Sequence, residues 1–317
     1  MRKAFYEKIA EIAARNKSMY FLTANLGYKF FDEVRKKYPG RFLDVGVAEQ
    51  NMISLAAGMA LCGKSVYCYS IIPFLTLRAC EQLRLDVCKH DLDVKLVGMG
   101  AGFTYGQEGF THFGIEDMAV MRAMPNMTVV APDTVENAVR AAELSVYFKG
   151  PLYIRLGRAG IHDAGNKATL KTIGKAAVLR EGKDCALIAI GNMVAVAEQS
   201  ALNLAAKGIK ASVINMHTLK PLDETTIRTC AQKHRLIFSL EEHSIHGGLG
   251  SAVSEVLAES GFCGKFERIG IPEKLDPVIG DADYLWEHYG LSSSEVTCRL
   301  LKIIGKSADV RGQNAAK

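Results

Sequence analysis

No stretch of the 317-residue sequence has the roughly 18 to 20 consecutive apolar residues that a membrane-spanning helix needs. The apolar start of the chain is interrupted by Glu7, Lys8 and Glu11, which is typical of an amphipathic helix and not of a signal peptide. The sequence therefore predicts a cytoplasmic protein without a membrane partner.

Paired cysteines and basic clusters are missing as well. None of the eight cysteines forms a Cys-x-x-Cys motif, and most lie inside apolar runs, which favours buried free thiols in a reducing compartment. Lys and Arg are scattered and form no cluster interleaved with aromatic residues, so nucleic acid is not an expected partner. The modest net charge of +5 suits an anionic small molecule better, such as a phosphorylated one.

The residues that are present predict an α/β protein. Half of the chain is hydrophobic, and its length is sufficient for two domains. Strand-like runs alternate with helix-like runs, which predicts two doubly wound α/β domains, the first with a mainly parallel sheet and the second smaller.

The candidate elements can be placed along the chain. The strand candidates of the first half are 19–23, 42–47, 65–69, 94–98, 128–131 and 152–155. The helix candidates between them are 4–15, 48–61, 74–89, 115–123 and 134–147. In the second half the strand candidates are 185–190, 211–215 and 236–240, and the helix candidates are 193–207, 223–233 and 249–259.

A polar, glycine-containing stretch after Gly157 interrupts this alternation and predicts the domain boundary. We expect a first domain over 1–160, a linker over 161–180 and a second domain over 181–306. Residues 307–317 lack core residues and are expected to form a flexible tail.

The most informative stretch is Gly46-Val-Ala-Glu-Gln-Asn-Met52, which places Glu49 between an apolar run and a helix. The run over 41–47 is interpreted as a short buried strand. Ligands of α/β sheets bind at the carboxyl ends of the strands, so Glu49 is a candidate for chemistry. The alternative is an acid in the first helical turn that only stabilises the helix through its dipole.

Residues 98–109, at the end of a strand candidate and directly after it, contain five glycines. Such a loop lets the backbone approach a ligand. His112 at its end is a candidate proton carrier, and Glu108 is a candidate to orient it or to contact a substrate. A loop histidine without a special role is the alternative.

Two further regions are less specific. Arg158 follows a strand and suits a phosphate or carboxylate. The alternatives are a solvated arginine and an inter-domain salt bridge. Residues 239–252 contain Glu241, Glu242 and His243, but the spacing fits neither a metal site nor a dinucleotide fingerprint, and a strand-to-helix turn is the better interpretation.

Together these stretches resemble the carboxyl-terminal half of transketolases, over residues 1 to about 305. The resemblance is carried by residues 46–52, by Gly106-Gln-Glu-Gly-Phe-Thr-His112 and by Met121-Arg-Ala-Met-Pro-Asn-Met127. In the second domain it is carried by 174–182 and 241–251. It implies the pyrimidine-binding domain and the carboxyl-terminal domain of a thiamine diphosphate enzyme that transfers a two-carbon ketol unit between sugars.

The resemblance also assigns the cofactor residues. It implies that Glu49 bonds the pyrimidine ring of thiamine diphosphate, that Phe74 stacks on this ring, and that Arg78 belongs to the same cofactor-binding group. Where the family often has further aromatic residues, this chain has Ile71, Ile72 and Arg78 near Phe74. We expect this change to alter the pocket.

For the sugar, the resemblance implies that His112 is catalytic and contacts substrate oxygens and that Glu108 contacts a donor hydroxyl. It matches Arg158, and also Arg2, to arginines that bind a substrate phosphate. Phe113 replaces the Gln that usually follows Thr-His, which is expected to affect the pocket as well.

The family's Gly-Asp-Gly and paired-Asn motif, which holds Mg²⁺ and the diphosphate, has no counterpart here beyond Gly280-Asp-Ala282. The resemblance therefore implies a split transketolase: a separate chain holds the diphosphate and Mg²⁺, this chain binds no metal, and the assembly is a heterotetramer with two of each chain. The alternatives are a 2-oxoacid dehydrogenase beta subunit, a relative of deoxyxylulose phosphate synthase, and a scaffold subunit that has lost its chemistry.

Overall fold

The computed structural model describes residues 1–27, 31–157 and 170–315. Its strands are β1 (Met19–Thr23), β2 (Phe42–Asp44), β3 (Ser65–Ile71), β4 (Val94–Met99), β5 (Thr128–Val130), β6 (Leu152–Leu156), β7 (Ala177–Arg180), β8 (Cys185–Ala189), β9 (Ala211–Asn215), β10 (Thr218–Lys220), β11 (Leu236–Ser244) and β12 (Lys265–Ile271). Its α-helices are α1 (Arg2–Ala13), α2 (Asp32–Lys37), α3 (Glu49–Leu61), α4 (Cys80–Gln82), α5 (Asp117–Ala123), α6 (Val135–Tyr147), α7 (Met193–Ala205), α8 (Glu224–Lys233), α9 (Leu249–Glu259), α10 (Ala282–His288) and α11 (Ser293–Ala315).

The strands form two sheets, as the alternation predicts. The first has seven strands in the order β10-β5-β6-β4-β3-β1-β2, all parallel except β10. The second has five strands in the order β12-β11-β8-β9-β7, with only β7 antiparallel. The fold class is therefore confirmed. We call the amino-terminal part with the first sheet the first unit and the carboxyl-terminal part, from β7 onwards, the second unit. Because β10 follows β9 in the chain but pairs with β5 of the first sheet, the two units share backbone hydrogen bonds.

The central strands are buried on both faces, as parallel strands covered by helices must be. β4 and β6 are buried along their whole length, which explains their largely apolar sequence, and their two charged residues, Lys95 and Arg155, are buried as well. The interpretation of residues 41–47 as a buried strand is wrong. Only Phe42–Asp44 forms a strand, and Leu43 is 38% exposed, because β2 lies at the edge of the sheet and pairs with β1 alone among the described strands.

The expected linker, the expected tail and the expected burial of the cysteines can be compared with the structure of the described residues. β7 lies within the range expected to be linker, and α11 extends to Ala315, into the expected tail. All eight cysteines are free, but Cys62, Cys263 and Cys298 are exposed and not buried as expected. In the described part of the chain, every helix is too short or too polar to cross a bilayer.

Candidate active site

Glu49 lies at the carboxyl edge of the first sheet, at the start of α3. Its side chain is only 1% exposed. The Ser70 hydroxyl, near the end of β3, donates to Glu49 Oε1 at 2.9 Å, and Arg78 Nη1 donates to Oε2 at 2.5 Å. The helix dipole favours an acid at this position, but both carboxylate oxygens are bonded to side chains of other elements. Glu49 is thus a buried, oriented carboxylate at the edge where α/β sheets bind ligands.

A π-helical turn over Phe74–Arg78 follows β3 and supplies the second part of the site. Turns of this kind are rare and occur frequently at functional sites. Here the turn brings Arg78 back over Phe74, so that the guanidinium carbon lies 4.3 Å from the ring centroid. The Arg78 guanidinium therefore stacks on an aromatic face while it pairs with Glu49, and the Arg78 side chain is 40% exposed.

His112 reaches the same place from the glycine-rich loop. Its ring contacts Phe74 edge to face, with centroids 5.1 Å apart. His112 Nδ1 lies 2.9 Å from the Thr111 hydroxyl. Because Thr111 engages Nδ1, Nε2 is the nitrogen that can exchange a proton with a ligand.

Arg2 contacts this loop from the amino-terminal helix. Arg2 Nη1 donates to the hydroxyls of Tyr69 at 3.3 Å and of Tyr105 at 3.4 Å. The Tyr105 ring in turn lies 6.5 Å from the His112 ring, edge to face. Burial raises the pKa of Tyr69, and the positive charge of Arg2 opposes that rise. The two hydroxyls thus bind the Arg2 cation, and Tyr105 lies between it and the candidate proton carrier.

The structure thus links Glu49 to Arg78, Arg78 to Phe74 and Phe74 to His112 through successive contacts, and it connects Arg2 to His112 through Tyr105. Glu108 is exposed on the same loop and lines a cavity of about 230 Å³ that Asp281 of the second unit also lines. Arg158 lies outside the described residues.

Sequence reasoning missed Ser70, Tyr69 and Tyr105. Tyr69 and Ser70 lie near the carboxyl end of β3, and this position was the available signal. Tyr105 lies between the glycines of the loop, and nothing in its sequence context separates it from other loop tyrosines.

Ile72 and Phe113, two of the replacements expected to alter the pocket, are core residues, whereas Ile71 is partly exposed. Ile72 is fully buried, and its side chain lies beneath the backbone of Gly98 and Gly114. Phe113 is 4% exposed and packs edge to face on Phe103 at 5.0 Å. Both positions are therefore filled by core side chains, and the aromatic wall of the site is Phe74.

Residues 239–252 form the strand-to-helix turn that the sequence predicts, between β11 and α9. Across the described residues, no group of three or more His, Cys, Asp or Glu side chains is placed to hold a metal ion. Glu241 is instead bonded to the start of α9, where it accepts hydrogen bonds from the backbone N–H groups of Leu249 and Gly250, both at 2.7 Å.

Comparison with known proteins gives matches along most of the chain. Residues 1–162 match the family model described as transketolase, pyrimidine binding domain, and residues 174–296 match transketolase, C-terminal domain. A subunit of the apulose-4-phosphate transketolase of Phocaeicola vulgatus is 34% identical over 96% of this chain and 97% of that protein. The 6-deoxy-6-sulfo-D-fructose transketolase subunit SqwH of Clostridium sp. is 39% identical over 93% of this chain and 92% of that protein.

Among solved structures, a split-gene transketolase described as an inactive beta4 tetramer superposes with a TM-score of 0.85. It is 34% identical, and the match covers 96% of this chain and 97% of that one. The likeness therefore extends over both sheets.

Proposed function

The chain belongs to the transketolase family, and we propose that it is the pyrimidine-binding subunit of a split transketolase that transfers a two-carbon ketol unit from a ketose to an aldose. Transketolases depend on thiamine diphosphate. In this proposal a separate chain holds the diphosphate and Mg²⁺, and the two chains assemble as a heterotetramer with two of each.

The observation that carries the proposal is the contact of Glu49 with Arg78 above the Phe74 ring. The guanidinium is a planar N–H donor that stacks on the ring and bonds the carboxylate. A pyrimidine ring would use the same two features, an aromatic face and a buried hydrogen-bond acceptor. The residues present therefore fit the pyrimidine half of the cofactor, with Glu49, Phe74 and Arg78 as the residues that would hold it.

When bound, thiamine diphosphate supplies the carbon nucleophile that cleaves a ketose beside its carbonyl group. Glu49 would hold a proton at the carboxylate oxygen that faces the pyrimidine, and Ser70 would keep the carboxylate in that orientation. His112 Nε2 would move a proton to or from a substrate oxygen, since Nδ1 is held by Thr111.

The substrate is proposed to be a ketose with an anionic end. Arg2 is positioned by the hydroxyls of Tyr69 and Tyr105, and the Tyr105 ring faces His112. The arginine fork suits phosphate and sulfonate oxygens. The names of two relatives agree with this chemistry, because one names a sugar phosphate and the other a sulfo-sugar. Glu108 and Arg158 remain proposed substrate contacts, from the loop and from the stretch after β6.

Exposed apolar side chains lie on the elements that carry Glu49 and Arg78, which supports docking of a partner there. Val47, two residues before Glu49, is 70% exposed. Other exposed apolar side chains lie on β2, on α3 and on the helical segment 74–88, namely Leu43, Leu55, Leu61, Leu77 and Leu85. Val47 and Leu43 flank the stretch that leads into Glu49, and the π-helical turn that carries Arg78 also carries Leu77. We propose that the diphosphate-binding subunit covers these side chains and completes the site.

Reconstitution tests the proposal. The chain is assayed alone and after co-expression with its diphosphate-binding partner, with thiamine diphosphate, Mg²⁺, a phosphorylated ketose and an aldose. We expect no transfer by the chain alone, transfer by the complex, and a mass of two plus two chains by light scattering. The solved relative described as an inactive beta4 tetramer agrees with the first expectation.

The Glu49→Gln complex tests the role of the Glu49 carboxyl group, since the amide keeps the size of the side chain but not its acidity. We expect transfer to fall by about 10² to 10⁴. Full activity of Glu49→Gln would overturn the assigned role. Release of carbon dioxide from pyruvate would instead favour the dehydrogenase or synthase alternative, and a complex that binds no thiamine diphosphate by calorimetry would favour the scaffold alternative.

A further inference from the structure

The base of the glycine-rich loop is fastened to the second unit. Gly102 and Gly114 exchange two backbone hydrogen bonds, at 2.8 and 3.0 Å, so that residues 103–113 form a closed loop. The Ser244 N–H, at the end of β11, donates to the Ile115 carbonyl at 2.8 Å. Because of this bond, the position of the loop depends on contacts with the carboxyl-terminal unit. The loop carries Glu108 and His112.

Glu242 on β11 is the centre of these contacts. Its side chain is 1% exposed. Glu242 Oε1 accepts hydrogen bonds from the Phe103 backbone N–H at 2.8 Å and from the Trp286 indole at 2.6 Å, while Oε2 accepts one from Asn192 Nδ2 at 2.7 Å. Burial raises the pKa of Glu242, and these hydrogen bonds oppose the rise. One buried carboxylate thus connects the first residue of the closed loop to two elements of the second unit.

The approach of Glu242 to the loop requires a glycine. Gly102 has φ +59°, and a Cβ at this position would overlap the Glu242 carboxyl group. Any side chain at residue 102 would therefore push the loop and the carboxylate apart.

Arg155 fastens the other end of the same loop. Its Nη2 donates to the Gly114 carbonyl at 2.6 Å and to the Glu242 carbonyl at 3.0 Å, while Nε pairs with Asp117 at 2.8 Å. Both Arg155 and Asp117 are almost fully buried. Both ends of the closed loop are thereby fixed with respect to Glu242.

We propose that Glu242 is a positioning residue: from the carboxyl-terminal unit it sets the place of loop 102–114, and so the place of His112 and Glu108 relative to the substrate. This inference rests on the proposed transketolase function for its kinetic consequence. It also gives the carboxyl-terminal unit a role in the reaction, because that unit then determines where the substrate-contacting loop lies. A displacement of a reacting group by about 1 Å can lower the rate about 10²-fold.

Glu241 offers a matched control one residue away. It is equally buried, and burial raises its pKa to about 7. Its two hydrogen bonds from Leu249 and Gly250 serve the start of α9. Removal of the Glu241 carboxylate should therefore weaken the second unit without releasing the loop.

The test compares Glu242→Ala, Glu242→Gln and Glu241→Ala. In the full chain alone, hydrogen exchange of the amides of residues 103–113 should accelerate at least about tenfold in Glu242→Ala and stay within about twofold in Glu241→Ala. Glu242→Gln should give a smaller acceleration than Glu242→Ala, because its amide oxygen can still accept from Phe103 and Trp286 while its NH2 group faces the Asn192 donor.

In the complex with the partner subunit, Glu242→Ala should lower kcat/KM for the sugars about 30- to 100-fold while thiamine diphosphate affinity stays within about threefold. Glu241→Ala, compared at a temperature where both variants are folded, should keep kcat/KM within about threefold. Equal kinetic losses in the two alanine variants, or unchanged exchange of the loop in Glu242→Ala, would overturn the inference.

Two further points keep the test decisive. If Glu242→Ala does not fold, Trp286→Phe takes its place, because it removes one hydrogen-bond donor to Glu242 and keeps a buried aromatic ring. An intermediate loss of loop protection against hydrogen exchange is expected. Unchanged protection would again count against the inference. An inactive unmodified complex would refute the proposed function, whereas the exchange experiment on the chain alone would still decide the role of Glu242.

Discussion

Arg78 Nη1 lies 2.5 Å from Glu49 Oε2, and this pair joins a partly exposed cation to a buried carboxylate. The Arg78 side chain is 40% exposed, whereas Glu49 is 1% exposed. The carboxylate is therefore neutralised from its solvent side by a group that also stacks on Phe74. A pyrimidine ring that binds Glu49 has to share the carboxylate with Arg78 or displace it.

The Glu49–Arg78 pair should stabilise the chain in the absence of cofactor. Arg78→Met leaves a buried carboxylate that keeps its hydrogen bond from Ser70 but loses its cation. We expect the free energy of unfolding to fall by about 1 to 2 kcal/mol, because partial exposure of Arg78 lowers the cost below that of a fully buried pair. Urea denaturation of Arg78→Met, Glu49→Gln and the double variant measures the coupling. Strict additivity of the two single changes would show that the pair contributes nothing.

His112 should act in catalysis and not in cofactor binding. His112→Asn removes the proton-exchanging Nε2, and we expect kcat of the complex to fall about 10²- to 10³-fold with thiamine diphosphate affinity nearly unchanged. Thr111→Val, which removes only the partner of Nδ1, should cost about tenfold or less. A variant series in which Thr111→Val is as damaging as His112→Asn would contradict the assignment.

Arg2 should select sugars with an anionic end. Arg2→Gln removes the charge, and we expect KM for a phosphorylated ketose to rise about 10- to 100-fold, as loss of a charge-assisted hydrogen bond predicts. KM for the same ketose without phosphate should not change. Tyr105→Phe, which removes one hydroxyl that holds Arg2, should shift KM in the same direction by less. An equal effect on both ketoses would argue against a role in anion recognition.

Stability should fall below neutral pH in part because of His217. Burial lowers its pKa to about 4, and the nearby charge of Asp223 opposes the shift. An unfolded histidine has a pKa of about 6.5, so between these values the unfolded chain binds a proton that the folded chain does not. The contribution of His217 is therefore complete above pH 6.5 and decreases as the pH falls towards 4.

His217→Gln isolates this effect. Between pH 7 and pH 5 the free energy of unfolding of the unmodified chain should fall by about 2 kcal/mol more than that of the variant. Chemical denaturation of both proteins at the two pH values measures the difference. A difference between the two proteins that stays constant with pH would show that His217 does not titrate in this way.

The strands with strong apolar character were predictable from sequence. β1, β3, β4, β8, β9 and β11 all begin at the residue that the apolar runs indicate. Elements with mixed character were not predicted, namely α2, β7, β10, β12, α10 and α11. β12 shows the reason: its first residues, Lys265 and Glu267, are polar and incompletely buried at the edge of the sheet, so neither a continuous nor a clean alternating pattern marks it.

The candidate site was predictable to the extent that strand ends mark it. Glu49, Phe74 and His112 follow strand candidates or a glycine-rich loop; in the structure Phe74 contacts His112, and Arg78 joins Phe74 to Glu49. For Glu242 the sequence predicts only a turn, since adjacent acidic residues in an apolar strand carry no signal about their partners. Its contact with Phe103 joins residues 139 positions apart.

The sequence by itself determined the class of fold and the family, because alternating apolar runs specify which faces are buried and the order of the motifs matches transketolases. The tertiary structure alone decided which charges meet. Sheet order places Ser70 of β3 beside Glu49, and the π-helical turn positions Arg78 to bond the same carboxylate. In the same way, β11 places Glu242 against the loop of the other unit. Periodicity encodes the burial of a side chain, whereas a pair between distant residues depends on the path of the whole chain, which no local pattern records.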